Sequence, residues 1–204
     1  LVGSEMCIRD SIKDPRLFED TLIYLVEHLS GLVSVTNLVS HFTAQKRKTS
    51  YDTIANYISY LEDVFLIHRV ERCQVRTKEV VLGTCRYYIN DWAFMHYLYP
   101  FFVREREVKF RNHVCLELKH AGYRVNVGVH RNKVIDFMAR KDDRIIYIQC
   151  VSTLENEVAM QASYASLESI QDNYEKLVVS LDDFCLPSHE GIRHVRAWEL
   201  HGLL

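Results

Sequence analysis

No stretch of this sequence approaches the roughly 18 consecutive apolar residues that a membrane-spanning helix needs, so no span is expected. Six cysteines (Cys7, Cys73, Cys85, Cys115, Cys150 and Cys185) include no CxxC pair, and ten histidines show no HExxH or zinc-finger spacing. The usual zinc and dithiol signatures are therefore missing. His113 and His120 fall near one helix face, but two such neighbours read as surface residues rather than ligands. The seven glycines are isolated, and neither GxxxxGK[ST] nor GxGxxG occurs. No glycine-rich phosphate cradle can be built from them, so any ATPase activity must belong to another part of a longer protein. Strong charge is absent too. The formal net charge is −2, and it divides to about −1 on either side of Tyr99, which weighs against a binding mode dominated by electrostatics.

Apolar residues make up 48% of the chain, as in an ordinary globular protein. Cys115 and Cys150 lie in apolar runs and read as small core residues. A reducing, cytoplasmic setting is expected, with no disulfide framework and no membrane partner. The opening LVGSEMCIRDS lacks the basic start and apolar core of a signal peptide. It reads like a translated adaptor, so residues 1–11 are set apart, and the native protein is expected to continue upstream.

Asp14-Pro15 pairs a good N-cap with the residue favoured at the first helical position. Leu17, Phe18, Leu22, Leu25, Val26 and Leu29 continue it as an apolar stripe that Gly31 should stop. Ser34 caps a second helix through Phe42, and Ser50 caps a third, YDTIANYISYLEDV, with Ile54, Tyr57, Ile58 and Leu61 inward. FLIHRV and RYYIN follow as strands. Three helices and a hairpin predict a winged helix-turn-helix over residues 12–99. If it binds DNA, Lys46, Arg47 and Lys48 would contact phosphates, with Tyr51 and Asn56 on the outer side of helix three. Asp52 and Asp63 share that side, and the same domain also suits protein interaction.

The pattern changes at Tyr99-Pro100. Residues 100–204 predict a mixed α/β domain: a helix over Val108–Ala121, strands at Arg124–Val129, Val134–Arg140 and Ile145–Val151, and a helix over Glu155–Ser169. Strands at Leu177–Ser180 and His194–Ala197 and a last short helix at Trp198–Leu203 complete it. Val134, Ile135, Phe137 and Met138 predict a strand buried on both faces, with Asp136 in its middle. A carboxylate there must be paired, ligate a metal or be protonated. Gln149 is the polar residue of the next strand.

The order helix, strand, strand with Asp, strand with a polar residue resembles the restriction-endonuclease-like PD-(D/E)XK fold. SYDTIANYISYLEDVFLIHRV, RYYINDWAF, RNHVCLELKHAGY, KVIDFMAR, IYIQCV and NYEKLVVSLDD, in that order, resemble the C-terminal portion of a family of AAA-type ATPases of unassigned role. That resemblance implies an upstream P-loop ATPase domain as partner, a winged helix, and a degenerate nuclease-like domain. An active nuclease of this fold needs two acids for Mg²⁺ and a lysine. Asp136 matches the first acid. The (D/E)-x-Lys position reads Gln149-Cys150-Val151, and the Glu that relatives place on the preceding helix corresponds to Arg111. Glu117 lies on that helix, rotated by roughly 120° from Arg111. Lys133 and Lys119 are the stand-ins for the lysine, the first in a turn and the second solvated.

The expected function is thus a non-catalytic C-terminal module of an AAA-type ATPase, binding nucleic acid or protein and needing no cofactor of its own. Two alternatives remain: an Mg²⁺-dependent nuclease with a migrated site on Glu117, Asp136 and Gln149, and a winged-helix DNA-binding regulator.

Overall fold

The computed structural model describes residues 12–98 and 105–204. The segment 1–11 and the expected boundary at Tyr99-Pro100 lie outside them. The described residues divide into two compact units, one of residues 12–69 and 83–98, the other of residues 70–82 and 105–204. Residues 70–82 group with the second unit.

In the first unit, helices α1 (Pro15–Glu27), α2 (Val35–Ala44) and α3 (Tyr51–Asp63) form where their caps predict. The side chains of Asp14, Ser34 and Ser50 accept from the amides of Leu17, Asn37 and Thr53 at 3.0, 3.1 and 3.2 Å. Each satisfies one amide that the first turn leaves without an intrahelical partner. Leu25, Leu38, Ile54, Ile58 and Leu61 are fully buried. α1 ends at Glu27, before the expected stop at Gly31. The left-handed residue is Ser30, φ 56°, whose amide donates to the Tyr87 carbonyl at 3.2 Å. Beyond it, Val33 bridges to Cys85. The chain is drawn off the helix by strand β2 (Val80–Ile89), not released by a glycine. A short helix, α4 (Trp92–Leu98), follows.

Strand β1 (Ile67–Gln74) and β2 run longer than FLIHRV and RYYIN, because the polar stretch between them continues the hairpin. The tip closes with the Lys78 amide on the Gln74 carbonyl and the Gln74 amide on the Glu79 carbonyl, both 2.8 Å. Residues Arg72–Gln74 of β1 pair in parallel with Val127–Val129 of β3 (Arg124–His130). The hairpin strands belong to a seven-stranded mixed sheet, ordered β2-β1-β3-β4-β5-β6-β7.

The second unit builds the rest of that sheet. β3, β4 (Lys133–Lys141) and β5 (Arg144–Val151) form an antiparallel meander. β6 (Glu175–Ser180) and β7 (Ile192–Arg196) continue it in parallel with β5. Helix α5 (Arg106–His120) lies against β3–β5, and helix α6 (Glu157–Glu168) against β4–β7. A 3-10 helix, Ala197–Leu203, ends the chain beside β6, β7 and α5. Ile135 to Ala139 are buried as expected, but Val134 is 37% exposed, so β4 is sheltered only from its third residue on. At Gly128, where the β3–β4 register shifts, a Cβ would sit 2.9 Å from Ile135 Cβ. Only glycine lets the strands approach that closely there. Among the described residues the cysteines are all free, and burial pushes the Cys115 thiol up to about 12.

Candidate functional site

β4 and β5 are paired from Lys141–Arg144 up to Phe137–Ile148, and the next pair in register is Asp136 with Gln149. There side chains replace the backbone ladder. Gln149 Oε1 accepts from the Asp136 amide at 3.3 Å, and Asp136 Oδ2 accepts from the Cys150 amide at 3.1 Å. The two polar residues that stood out in apolar runs thus meet across the gap between adjacent strands. Asp136 is 3% exposed, and Gln149 is half-buried.

The partner that makes this burial tolerable is Arg111. Its Nε lies 3.4 Å from Asp136 Oδ2, and its side chain is 25% exposed. One turn earlier on α5, Glu107 Oε2 takes an Arg111 terminal nitrogen at 3.4 Å. Glutamate four residues before arginine is the favourable order along a helix. The other oxygen of Glu107 accepts from Ser152 Oγ at 3.1 Å. Arg111, Glu107 and Ser152 therefore form a charged brace from α5 to β4 and to the residue after β5. Sequence reasoning missed Glu107 and Ser152. The Glu107–Arg111 spacing was a legible signal for the first, whereas the second depends on where β5 ends.

Glu117 does not join this cluster. Its Oε2 is 3.0 Å from Nδ1 of His201 on the 3-10 helix, in keeping with its rotation around α5. The stand-in lysines are also elsewhere. Lys133 Nζ donates to the Ala165 carbonyl at 2.6 Å, and Lys119 is half-buried near Cys115 rather than solvated. Val151, where an active nuclease is expected to carry a lysine, is a core residue. His113 and His120 are exposed, as expected.

In the first unit, Lys46 and Lys48 are exposed, as are Tyr51 and Asn56 on α3, together with Asp52 and Asp63. Arg47 differs. It is ion-paired with Asp20, lies 3.9 Å from Asp14, and stacks 5.6 Å from the Phe42 ring centroid. Its charge is already engaged with α1, so it is not the open phosphate contact that the sequence suggested.

A second polar pair lies deeper in the sheet. Ser180 Oγ is 2.8 Å from His194 Nε2, while His194 Nδ1 accepts from the Leu186 amide at 2.9 Å. That amide fixes the proton on Nε2, so the imidazole donates to Ser180 and cannot act on it as a base. Burial lowers the His194 pKa despite opposing attraction from Asp182 and Glu199. The pair is structural.

Residues 8–105 match a family described as a domain of unknown function (DUF8612). A Haemophilus influenzae protein described as uncharacterized is 27% identical over 180 residues, covering 88% of this chain and 44% of that protein. The chain thus spans less than half the length of this relative. No solved structure matches. Among the described residues, no helix is long and apolar enough to cross a membrane.

Proposed function

We propose that this chain is the non-catalytic C-terminal module of a larger AAA-type ATPase. In this reading a winged helix precedes a nuclease-like domain that has kept its fold and given up its chemistry. The observation that carries the proposal is the Arg111 guanidinium on Asp136. A nuclease site sets two acids and a divalent cation there. Here Asp136 has its Oδ2 held by an arginine and a backbone amide, and Glu107 is turned to the same arginine and to Ser152. A fixed positive charge 3.4 Å from the would-be ligand opposes a dication. Gln149 spends its carbonyl oxygen on the Asp136 amide, and Val151 supplies no charge. These residues do not fit Mg²⁺. The brace instead ties α5 to the opened end of the β4–β5 pair, which serves a rigid binding module. The three capped helices and the β1–β2 hairpin support the winged-helix part, and the greater length of the matched relative suits a chain that works within a larger protein.

The test is thermal. Millimolar Mg²⁺ should leave the melting temperature of the wild type unchanged, and plasmid DNA should stay intact. A live site would instead gain RT ln(1 + [L]/Kd), about 2.7 kcal/mol at a hundredfold excess over Kd. A Mg²⁺-dependent rise in the wild type that Asp136→Asn abolishes would overturn the non-catalytic reading.

A further inference from the structure

The β1–β2 turn, the β3–β4 turn and the segment between α6 and β6 enclose a cleft of about 830 Å³ within the second unit. That is the size of a small-molecule pocket. Its walls carry Arg76 and Lys78 from the first turn, His130 and Arg131 from the second, and Asp172 and Tyr174 from the third segment. Lys78 and Arg131 occupy left-handed turn positions, φ 62° and 52°, so each tip's backbone is sharply defined.

The charges in this cleft are unbalanced. Asp172 is its carboxylate, and it is already committed, accepting from Tyr147 Oη at 2.7 Å and lying 3.6 Å from Lys78 Nζ. Lys78 also donates to Tyr147 Oη and sits 5.0 Å from the Tyr174 ring centroid. Arg76 and Arg131 have no ion-pair partner among the described residues, whereas Arg47, Arg111, Arg144, Arg193 and Arg196 each pair with a carboxylate. Nε2 of His130 is buried and has no hydrogen-bond partner among the described residues. Buried polar nitrogens are rarely left so.

We propose that this cleft binds a phosphate monoester, with Arg76, Arg131 and His130 as its ligands. The monoester is a compact dianion with three acceptor oxygens, and guanidinium groups match it with paired donors. His130 Nε2, when it carries the proton, adds a third donor, and Lys78 adds positive field at the floor. The Tyr174 ring, 42% exposed, offers a flat wall to whatever the phosphate is attached to. A duplex is too broad to enter, and its diester phosphates lie along a convex backbone. The phosphate therefore comes either from a free phosphomonoester or from the terminal phosphate of a single strand. The proposal is independent of whether the Asp136 site is catalytic.

Titration calorimetry on the whole chain tests it, with inorganic phosphate and with one short single-stranded oligonucleotide, with and without a terminal phosphate. Phosphate should bind, and Arg76→Gln and Arg131→Asn should each weaken it about tenfold, the worth of a charge-assisted hydrogen bond. Both positions are exposed, and asparagine tolerates the left-handed turn, so the melting temperatures should not move. Tighter binding of the phosphorylated strand than of phosphate would support the strand end as source, and equal binding a free phosphomonoester. No heat with millimolar phosphate would overturn the proposal. So would binding that both arginine variants retain, or equal binding of the two strands.

Discussion

At the scale of single residues, the fate of Asp136 depends on Arg111. A buried carboxylate keeps its charge only where something compensates it, and Arg111 and the Cys150 amide do so here. The two halves of such a pair are not equivalent under mutation. Asp136→Asn keeps the shape and one acceptor, and leaves Arg111 quarter-exposed and still paired with Glu107. It should cost on the order of 1 kcal/mol. Arg111→Met removes the charged partner 3.4 Å from this buried carboxylate and should cost more, about 2–3 kcal/mol. The double variant should cost less than the two single costs combined, because the charge that needs Arg111 is gone. Urea unfolding curves measure all three. Additive costs, or an Asp136→Asn variant less stable than Arg111→Met, would count against the brace. The composition of this site was legible in sequence, since Asp136 and Gln149 stood out in apolar runs and Arg111 stood where a glutamate was expected. Its wiring was not legible. That Arg111 reaches Asp136, and that Glu107 and Ser152 complete the brace, follows from the crossing of α5 over β4 and β5, which no local pattern encodes.

Among the elements, those with strong local signals form within a few residues of expectation. Asp14, Ser34 and Ser50 cap their helices because a side-chain oxygen there has unpaired amides to serve. The meander forms because Arg131 and Asp142 accept left-handed turns, φ 52° and 51°, between apolar strands. Elements governed by distant partners read poorly. The polar stretch Arg72–Lys78 gives no strand pattern, yet its first half is strand, because β3 offers it a parallel edge. Helix α1 stops early because β2 captures the Ser30 amide. Gly128 shows the same dependence and can be tested. Its φ is not in the left-handed region, so alanine costs no backbone strain, but the new Cβ meets the Cβ of buried Ile135 at 2.9 Å within the buried middle of β3. Gly128→Ala should lower stability by about 1–3 kcal/mol, as overpacking does. Gly202→Ala, with nothing within 4 Å of its Cβ, should change it by only a few tenths. Equal melting temperatures for the two variants would mean that β3 and β4 separate at no cost.

For the whole molecule, the sequence pointed to a mixed α/β chain, and a seven-stranded mixed sheet with helices is what forms. Two polar groups of this region contribute to how stability varies with pH: His194, in the middle of β7, and Asp182, just after β6. His194, 5% exposed, has its pKa lowered, first by burial. The native state therefore resists a proton that the unfolded chain accepts near the ordinary histidine value of about 6.5. Above that value both states are neutral at this site and it contributes no pH dependence. As the pH falls through it, the unfolded state gains protons first, so stability drops until the lowered native value is reached. Asp182 acts at lower pH. Burial raises its pKa, but hydrogen bonds from Thr153, the Leu154 amide and Ser180 outweigh that and leave it lowered. Its stabilisation is complete above the ordinary carboxylate range and is lost as pH falls below it. The first effect can be isolated. Urea unfolding followed by Trp198 fluorescence in a Trp92→Phe background should show stability declining from pH 7.5 to pH 5.5, values that bracket the ordinary histidine pKa by about one unit on each side. His194→Gln should lower stability at both pH values, because the Leu186 amide and Ser180 lose a well-placed partner. It should also flatten the decline, because the titrating group is gone. A slope that His194→Gln leaves unchanged would assign the decline to the other histidines, and would mean that the buried imidazole takes up its proton as readily in the fold as out of it.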